Sequence, residues 1–123
     1  MAEHRVSPRL TSAIPKLASL DIGRSVTFFA RLGFQHLAIY DTMAIVRRDD
    51  VEIHFWLTDK PSIPHATGCR VNVDGIDRLY EQYLPLGVVH PNGPLCDQPW
   101  GLREFSILDG DGYLLTFASP ITV

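Results

Sequence analysis

Residues 98–105 read Gln98-Pro99-Trp100-Gly101-Leu102-Arg103-Glu104-Phe105, and the predicted fold is built outward from this stretch. Pro99 cannot donate a hydrogen bond to a strand ladder, and Gly101 tolerates backbone angles that other residues avoid. We therefore predict a bend at the entry of a strand, with Trp100 held on the bend. An indole in that place is either a platform for a flat aromatic guest or a plug at the edge of a core.

The residues around this stretch predict one helix and several strands. Strands are expected over residues 69–73, 103–108 and 113–118, and Asp109-Gly110-Asp111-Gly112 is a strong turn signal between the last two. A helix is expected over residues 76–86, closed by Gly87. Pro85 fits poorly inside a helix and predicts a distorted last turn. Residues 88–95 are rich in proline and glycine and are expected to be irregular.

The first half of the chain shows the same order of patterns. Residues 10–19 alternate weakly with Pro15 among them, which predicts an edge strand or a chain crossing. Asp21 is a candidate N-cap for a helix over residues 22–32, which Gly33 ends. Strands are expected over residues 34–40, 43–47 and 51–57, and the proline-containing residues 58–67 are expected to be a linker.

Each half thus has a strand, a helix and three strands, which indicates an internal duplication. We predict an α+β fold of paired βαβββ modules, with module one at about residues 10–58 and module two at about residues 67–120 of a single domain spanning residues 1–123. One helix covers only one face of a four-stranded sheet. The simplest arrangement curls the two mixed sheets around a shared cavity.

Composition limits the possible functions. The chain has 123 residues, 46% of them hydrophobic and 20% charged, and a net charge of -3. A general nucleic-acid binder would need a basic face, so we expect no nucleic-acid partner. No long apolar run is present, so we expect no membrane partner and a cytoplasmic location. Cys69 and Cys96 form no metal motif, and residues 1–9 are expected to be a loose polar arm.

This layout resembles the vicinal oxygen chelate superfamily, which includes glyoxalases, extradiol dioxygenases, fosfomycin-resistance enzymes and bleomycin-resistance proteins. The bleomycin-resistance branch is the most similar, through LTSAIP at residues 10–15, RLGF at 31–34, RDDV at 48–51, QPWG at 98–101 and the following Arg-Glu-Phe. The resemblance implies a homodimer that sequesters bleomycin-type antibiotics in grooves at the subunit interface, with no bond made or broken. It also implies that the N-terminal strand crosses to the partner near Pro15.

The superfamily's enzymes bind a divalent metal through four side chains, one on each of four inner strands. The positions that correspond here are Ile14, His54, Gly68 and Thr116. A catalytic metal normally needs about three histidine or carboxylate ligands, and only His54 is a good one. We therefore predict no metal, no other cofactor and no catalytic residue.

The resemblance and the two-residue alternation of strands together predict the lining of the groove. Glu52, His54 and Trp56 should share one face, and Arg70 should share another with Gly68, Asn72, Leu114 and Thr116. Ala38 and Met43 stand where the branch has aromatic walls, and Leu37 replaces an acidic residue. The predicted ligand-binding residues are Trp100, Gly101, His54, Trp56, Arg70, Met43, Ala38 and Leu37.

The side chains of this groove are expected to act across the dimer. Trp100 of one chain should stack on the ligand and work with Trp56, His54, Arg70 and Met43 of the other chain. Arg70 would repel a cationic guest unless an acidic neighbour such as Glu52 pairs with it.

Two other functions remain open on the sequence. The chain is alternatively a lyase-like or isomerase-like enzyme of the same superfamily, for which His54 with Glu52 is the only nearby acid-base pair. A third hypothesis is a sensor or binding protein for another aromatic or cationic drug. Turnover would separate the enzyme from the binders, and calorimetry with different ligand classes would separate the two binders.

Overall fold

The computed structural model describes residues 7–121. Its elements, in chain order, are β1 (Lys16–Ser19), α1 (Ile22–Arg31), β2 (Gln35–Ile39), β3 (Met43–Arg48), β4 (Val51–Leu57), α2 (Ser62–His65), β5 (Gly68–Asn72), α3 (Ile76–Tyr83), a 3-10 turn (Leu84–Leu86), β6 (Cys96–Asp97), β7 (Leu102–Leu108) and β8 (Leu114–Pro120). Of the predicted polar arm, residues 7–9 are exposed and without regular structure, and the rest lies outside the described residues.

The strands form two separate four-stranded sheets with the same topology. Sheet one has the order β1-β4-β3-β2 and sheet two the order β5-β8-β7-β6. The outer pairs β1–β4 and β5–β8 are parallel, and the other pairs are antiparallel. The predicted pair of βαβββ modules is therefore confirmed. Within the described chain the two sheets stay open rather than joining into one closed barrel.

Helix α1 forms as predicted because both of its ends are specified locally. The Asp21 carboxylate accepts a hydrogen bond of 3.0 Å from the Arg24 backbone N–H, as an N-cap should. Gly33 follows the helix with a φ of 92°, which favours glycine. Between these ends Phe29 is fully buried against sheet one, with its ring 4.9 Å from that of Phe55 in edge-to-face contact.

Helix α3 is shorter than its counterpart and ends differently. It begins after Gly75, which has a φ of 78° and no side-chain cap. Its last turn tightens into the 3-10 turn that contains Pro85, which confirms the predicted distortion. Gly87 then ends it with a φ of 71°. Leu79 and Tyr83 are buried from this helix against sheet two.

Three expectations about local structure are wrong. Residues 58–67 are not a linker throughout, because they contain the short helix α2, and proline is tolerated in a first helical turn. The strand β6 lies just after the irregular residues 88–95 and was missed, since two residues show no alternation. Pro15 precedes β1 rather than lying within it, although its carbonyl still accepts from the His54 backbone N–H at 3.0 Å.

Several polar contacts join the modules around one continuous core. The Tyr83 hydroxyl donates to the Leu32 carbonyl at 2.6 Å, linking the end of α3 to the end of α1. At another point the Asp109–Gly112 turn, confirmed as a hairpin, brings Asp111 against module one. Asp111 is buried, forms an ion pair with Arg24 and accepts from the Leu20 backbone N–H at 2.9 Å. The turn therefore also connects module two to module one.

Candidate functional site

The Gln98–Gly101 segment is a tight turn between β6 and β7. The Gly101 N–H donates to the Gln98 carbonyl at 3.1 Å, and the Gln98 N–H donates to the Leu102 carbonyl at 2.8 Å. Pro99 supplies the fixed φ that such a turn favours, and Gly101 supplies a φ of 87°. The predicted bend is confirmed. It leaves Trp100 at the tip of the hairpin with 59% of its surface exposed, so this residue does not plug the core.

The indole of Trp100 is anchored by Glu104 of the same hairpin. Its Nε1–H donates to the Glu104 Oε2 at 3.1 Å. The same oxygen lies 2.8 Å from the Nη2 of Arg70, which belongs to β5. The side chain of Glu104 is only 8% exposed although it lies on the face of sheet two that α3 does not cover. One buried carboxylate therefore holds both an exposed aromatic ring and an exposed guanidinium.

The uncovered face of sheet two, which we call open face two, has the predicted residues. Gly68, Arg70 and Asn72 of β5 alternate with buried Val71, and Thr116 of β8 alternates with buried neighbours that pack in the core. The hydroxyls of Ser106 and Thr116 lie 3.1 Å apart across β7 and β8. The predicted alternation along this face is thus confirmed.

Open face one, the uncovered face of sheet one, also has the predicted composition. Glu52, His54 and Trp56 alternate with the buried residues of β4, and the His54 Nε2 lies 2.6 Å from the Glu52 Oε2. Met43 is the register partner of Trp56, which is 38% exposed. This face combines an indole, a flexible thioether and a hydrogen-bonded imidazole.

The remaining two predicted residues lie at the outer edge of sheet one. Ala38 pairs with Ile45, whereas Leu37 has no register partner because the ladder is irregular between His36 and Ala38. A bulge of this kind re-aims a side chain, and Leu37 is 56% exposed.

Arg70 has an acidic neighbour, as a compensated charge requires, and that neighbour is Glu104. Glu52, the example named from the sequence, pairs with His54 instead. Arg70 therefore belongs with Trp100 on sheet two of the same chain, rather than with the residues of sheet one. Within the described residues, no hydrogen bond or ion pair joins the predicted ligand-binding residues of one open face to those of the other.

The four positions that correspond to superfamily metal ligands do not fit a metal. A Cβ at Gly68 would lie 2.6 Å from the Leu114 carbonyl oxygen, so no ligand side chain fits there unless the neighbouring strand shifts. Ile14 and Thr116 are poor donors, and the His54 Nε2 is already bonded to Glu52. No group of three or more histidine, cysteine or acidic side chains suited to a metal occurs in residues 7–121.

Two clefts in the described part of the chain lie away from most of these residues. The larger, of about 480 Å³, is a cleft between the β3–β4 turn and the start of α3, and it contains none of the predicted ligand-binding residues. A second cleft, of about 380 Å³, contains only Leu37 among them. The two open faces are therefore surfaces, and a groove over either face requires a second surface.

Ion pairs on the helix side of the hairpin fix its position. The Arg103 guanidinium donates to Asp97 at 2.7 Å and to Asp77 of α3 at 3.0 Å. The bond from Arg103 lowers the pKa of Asp97, and the two carboxylates raise the pKa of Arg103. Alternate residues of β7 thus act on opposite faces, with Arg103 tying the hairpin to α3 and Glu104 anchoring Trp100.

Two βαβββ modules with one face of each sheet uncovered define the glyoxalase/bleomycin-resistance fold. The structure is similar to that of a bleomycin-binding protein from Streptomyces verticillus complexed with copper(II)-bleomycin, with a TM-score of 0.82, 24% identity and coverage of 94% of this chain and 100% of the other. It is also similar to a glyoxalase-related enzyme from Clostridium phytofermentans, with a TM-score of 0.75, 21% identity and coverage of 95% and 100%.

Sequence similarity narrows this class. The chain is 34% identical over 130 aligned positions to a bleomycin resistance protein from Geobacillus stearothermophilus, covering 91% of this chain and 98% of the relative. The chain therefore belongs to the bleomycin resistance protein family. No protein-family model matches the sequence. Within residues 7–121, no helix has the length and apolar character needed to cross a membrane.

Glu104 is the site residue that the sequence analysis missed. In the sequence Glu104 belongs to the Arg-Glu-Phe resemblance, and no pattern links it to Trp100 or Arg70. Alternation along β7 could have placed Glu104 on the open face, opposite the buried Phe105. A carboxylate on that face, four residues after the tryptophan of the turn, could have indicated an acceptor for the indole N–H.

Proposed function

We propose that this protein binds bleomycin-type antibiotics and sequesters them without making or breaking a bond. The observation that carries the proposal is the exposed indole of Trp100, which a buried carboxylate holds on an open sheet face. An ordered aromatic ring stacks on a flat guest with little loss of conformational entropy. Membership of the family and the drug complex of the structural relative from Streptomyces verticillus support the same choice.

The binding groove is completed by a second copy of the chain. Both open faces carry large exposed apolar side chains, which a stable soluble protein normally covers. Open face one and open face two would form the two walls of each groove, one from each subunit, with the chain crossing near Pro15. The exposed apolar side chains on these faces include Trp56, Trp100, Leu108 and Leu114, and the exposed Leu37 lies at the outer edge of sheet one.

The charge of the groove suits a cationic drug. Arg70 is paired with Glu104, so its positive charge is largely compensated on open face two. On open face one, Glu52 lies beside His54 and 3.9 Å from Arg47. The net charge of -3 adds a weak general attraction for cations. We also place the protein in the cytoplasm, which fractionation of the producing cells would test.

Titration calorimetry with bleomycin tests the proposal. We expect saturable binding with one drug molecule per chain, and mass spectrometry should recover the drug unchanged after long incubation. Light scattering should give the mass of a dimer at micromolar concentration. Absence of binding at high micromolar concentration would contradict the proposal, and tighter binding of another aromatic drug would favour the third hypothesis.

A second candidate, a lyase-like or isomerase-like enzyme, rests on the 2.6 Å contact between His54 and Glu52. A carboxylate that bonds one ring nitrogen orients an imidazole, which is the arrangement of a general base. Recovery of a chemically changed drug, abolished in His54→Ala but retained in Trp56→Phe, would favour the enzyme over the binder.

A further inference from the structure

We propose that Glu104 is a positioning residue that orders the indole of Trp100 and compensates the charge of Arg70 with one buried carboxylate. The inference rests on the proposed drug-binding function of this site and specifies how the site is prepared for its guest. Glu104 itself is 6% exposed, so it acts through the two side chains that cover it.

The first part of the role is to fix the indole. The turn sets the backbone of Trp100, but a side chain with 59% exposure at a hairpin tip has several rotamers open to it. The bond from Nε1–H to Glu104 is the only hydrogen bond of this indole within the described residues. Because one acceptor holds the far edge of the ring, a single rotamer is favoured before any ligand arrives.

The second part is to hold and compensate Arg70. This residue lies on β5 and Glu104 on β7, so the guanidinium reaches across β8, where the small, buried Ala118 pairs with Glu104. The ion pair at 2.8 Å joins a half-exposed cation to a buried anion. Removing one partner of such a pair is costly, because it leaves a poorly solvated charge uncompensated.

Because both donors share one oxygen, the two functions are coupled. Removing the carboxylate would release the indole and leave the positive charge of Arg70 uncompensated. Replacing it with an amide would keep an acceptor for Trp100 while losing the charge. Glu104→Leu and Glu104→Gln therefore separate the two roles.

The indole is tested first in the protein without ligand. The chain has two tryptophans, so a Trp56→Phe background leaves Trp100 as the only one. We expect Glu104→Leu to add a fast local component to the anisotropy decay of Trp100, and Glu104→Gln to retain the slow decay. Arg70→Met is the matched control, because it leaves Glu104 free to bind the indole. An unchanged decay in a folded Glu104→Leu variant would overturn the positioning role.

The charge is tested with a cationic bleomycin by calorimetry at low and high salt. We expect Glu104→Gln to weaken binding about fivefold at low salt, with the loss shrinking in high salt as the repulsion from Arg70 is screened. The double variant Glu104→Gln with Arg70→Met should recover most of that loss. Equal losses at both salt concentrations, or no recovery in the double variant, would overturn the charge role.

The fold and the function are controlled separately. Circular dichroism and the melting temperature identify any variant that fails to fold. If Glu104→Leu fails, Glu104→Ala takes its place in the anisotropy test, and Glu104→Gln still carries the charge test. The anisotropy measurement needs no ligand. If the parent protein does not bind bleomycin, the proposed function is contradicted. If the anisotropy decay of Trp100 is unchanged in Glu104→Leu, the role of Glu104 is contradicted.

Discussion

Modules one and two have the same order of elements but differ in their irregular parts. Module one has a side-chain cap on its helix and a five-residue strand β2. Module two has an uncapped helix with a 3-10 end and only the two-residue strand β6 in the corresponding place. The two modules share their regular helices and strands, and these elements supply the core.

The difference between the modules lies where the candidate site is. The short β6 leaves room for the hairpin tip that displays Trp100, and no such tip precedes β3 in module one, where Asp41 and Thr42 make an ordinary turn. Duplication thus supplies two open sheet faces, and divergence at one edge supplies the aromatic platform. Substitutions at corresponding positions of the two modules test this account.

The largest effect is expected in the core of module one. Phe29→Ala should lower the free energy of unfolding by about 4 kcal/mol, because it removes a fully buried ring that contacts four other rings. The corresponding helix in module two offers Leu79→Ala, for which we expect about 3 kcal/mol. Urea unfolding of both variants measures the difference, and a loss below about 1 kcal/mol for Phe29→Ala would contradict the packing described.

The glycines that end the two helices should differ in sensitivity. Both have a positive φ, but a Cβ at Gly33 would lie 3.0 Å from the Arg48 Nη1, whereas nothing lies within 4 Å at Gly87. The left-handed conformation costs an alanine about 1 kcal/mol at either position. Displacing Arg48 from the Leu32 carbonyl should bring the cost of Gly33→Ala to about 2 kcal/mol. Equal melting temperatures for the two alanine variants would argue against this contact.

The aspartates before the two helices should also differ in how much they contribute to stability. Asp21 caps α1, so Asp21→Ala should cost about 1 kcal/mol in thermal or urea unfolding. Asp74 stands at the matching place but makes no cap, because Gly75 is the N-cap of α3. Asp74→Ala should therefore change the stability by less than about 0.5 kcal/mol. A larger loss at Asp74 than at Asp21 would reverse the assignment.

The smallest expected effect is on the pH dependence of stability. It concerns the turns that join the last two strands of each module. Burial raises the pKa of Asp109, so this group favours folding while protonated, and its contribution is lost as the pH rises above its unfolded value. We expect Asp109→Asn to gain stability relative to the parent between pH 4 and pH 7. Asp49→Asn, in the exposed turn of module one, is the matched control for replacing a turn carboxylate with an amide.

The comparison also shows how far the sequence determines the structure. The helix α1 and the strand β4 were predictable because a cap, a glycine stop and strict alternation are local signals, as at Asp21, Gly33 and His54. The strand β6 carries too few residues to show a period. The pairing of Arg70 with Glu104 depends on side chains that meet across β8, and sequence spacing does not encode which of two carboxylates an arginine reaches.

The central claim is that Trp100 is a binding residue rather than a packing residue. The most direct measurement is the affinity for bleomycin of the parent and of Trp100→Ala, by calorimetry on the folded proteins. We expect Trp100→Ala to bind at least about tenfold more weakly, a loss of about 1.4 kcal/mol, with an unchanged melting temperature. Equal affinities in the two proteins, or a Trp100→Ala variant that unfolds before binding is measured, would contradict the account.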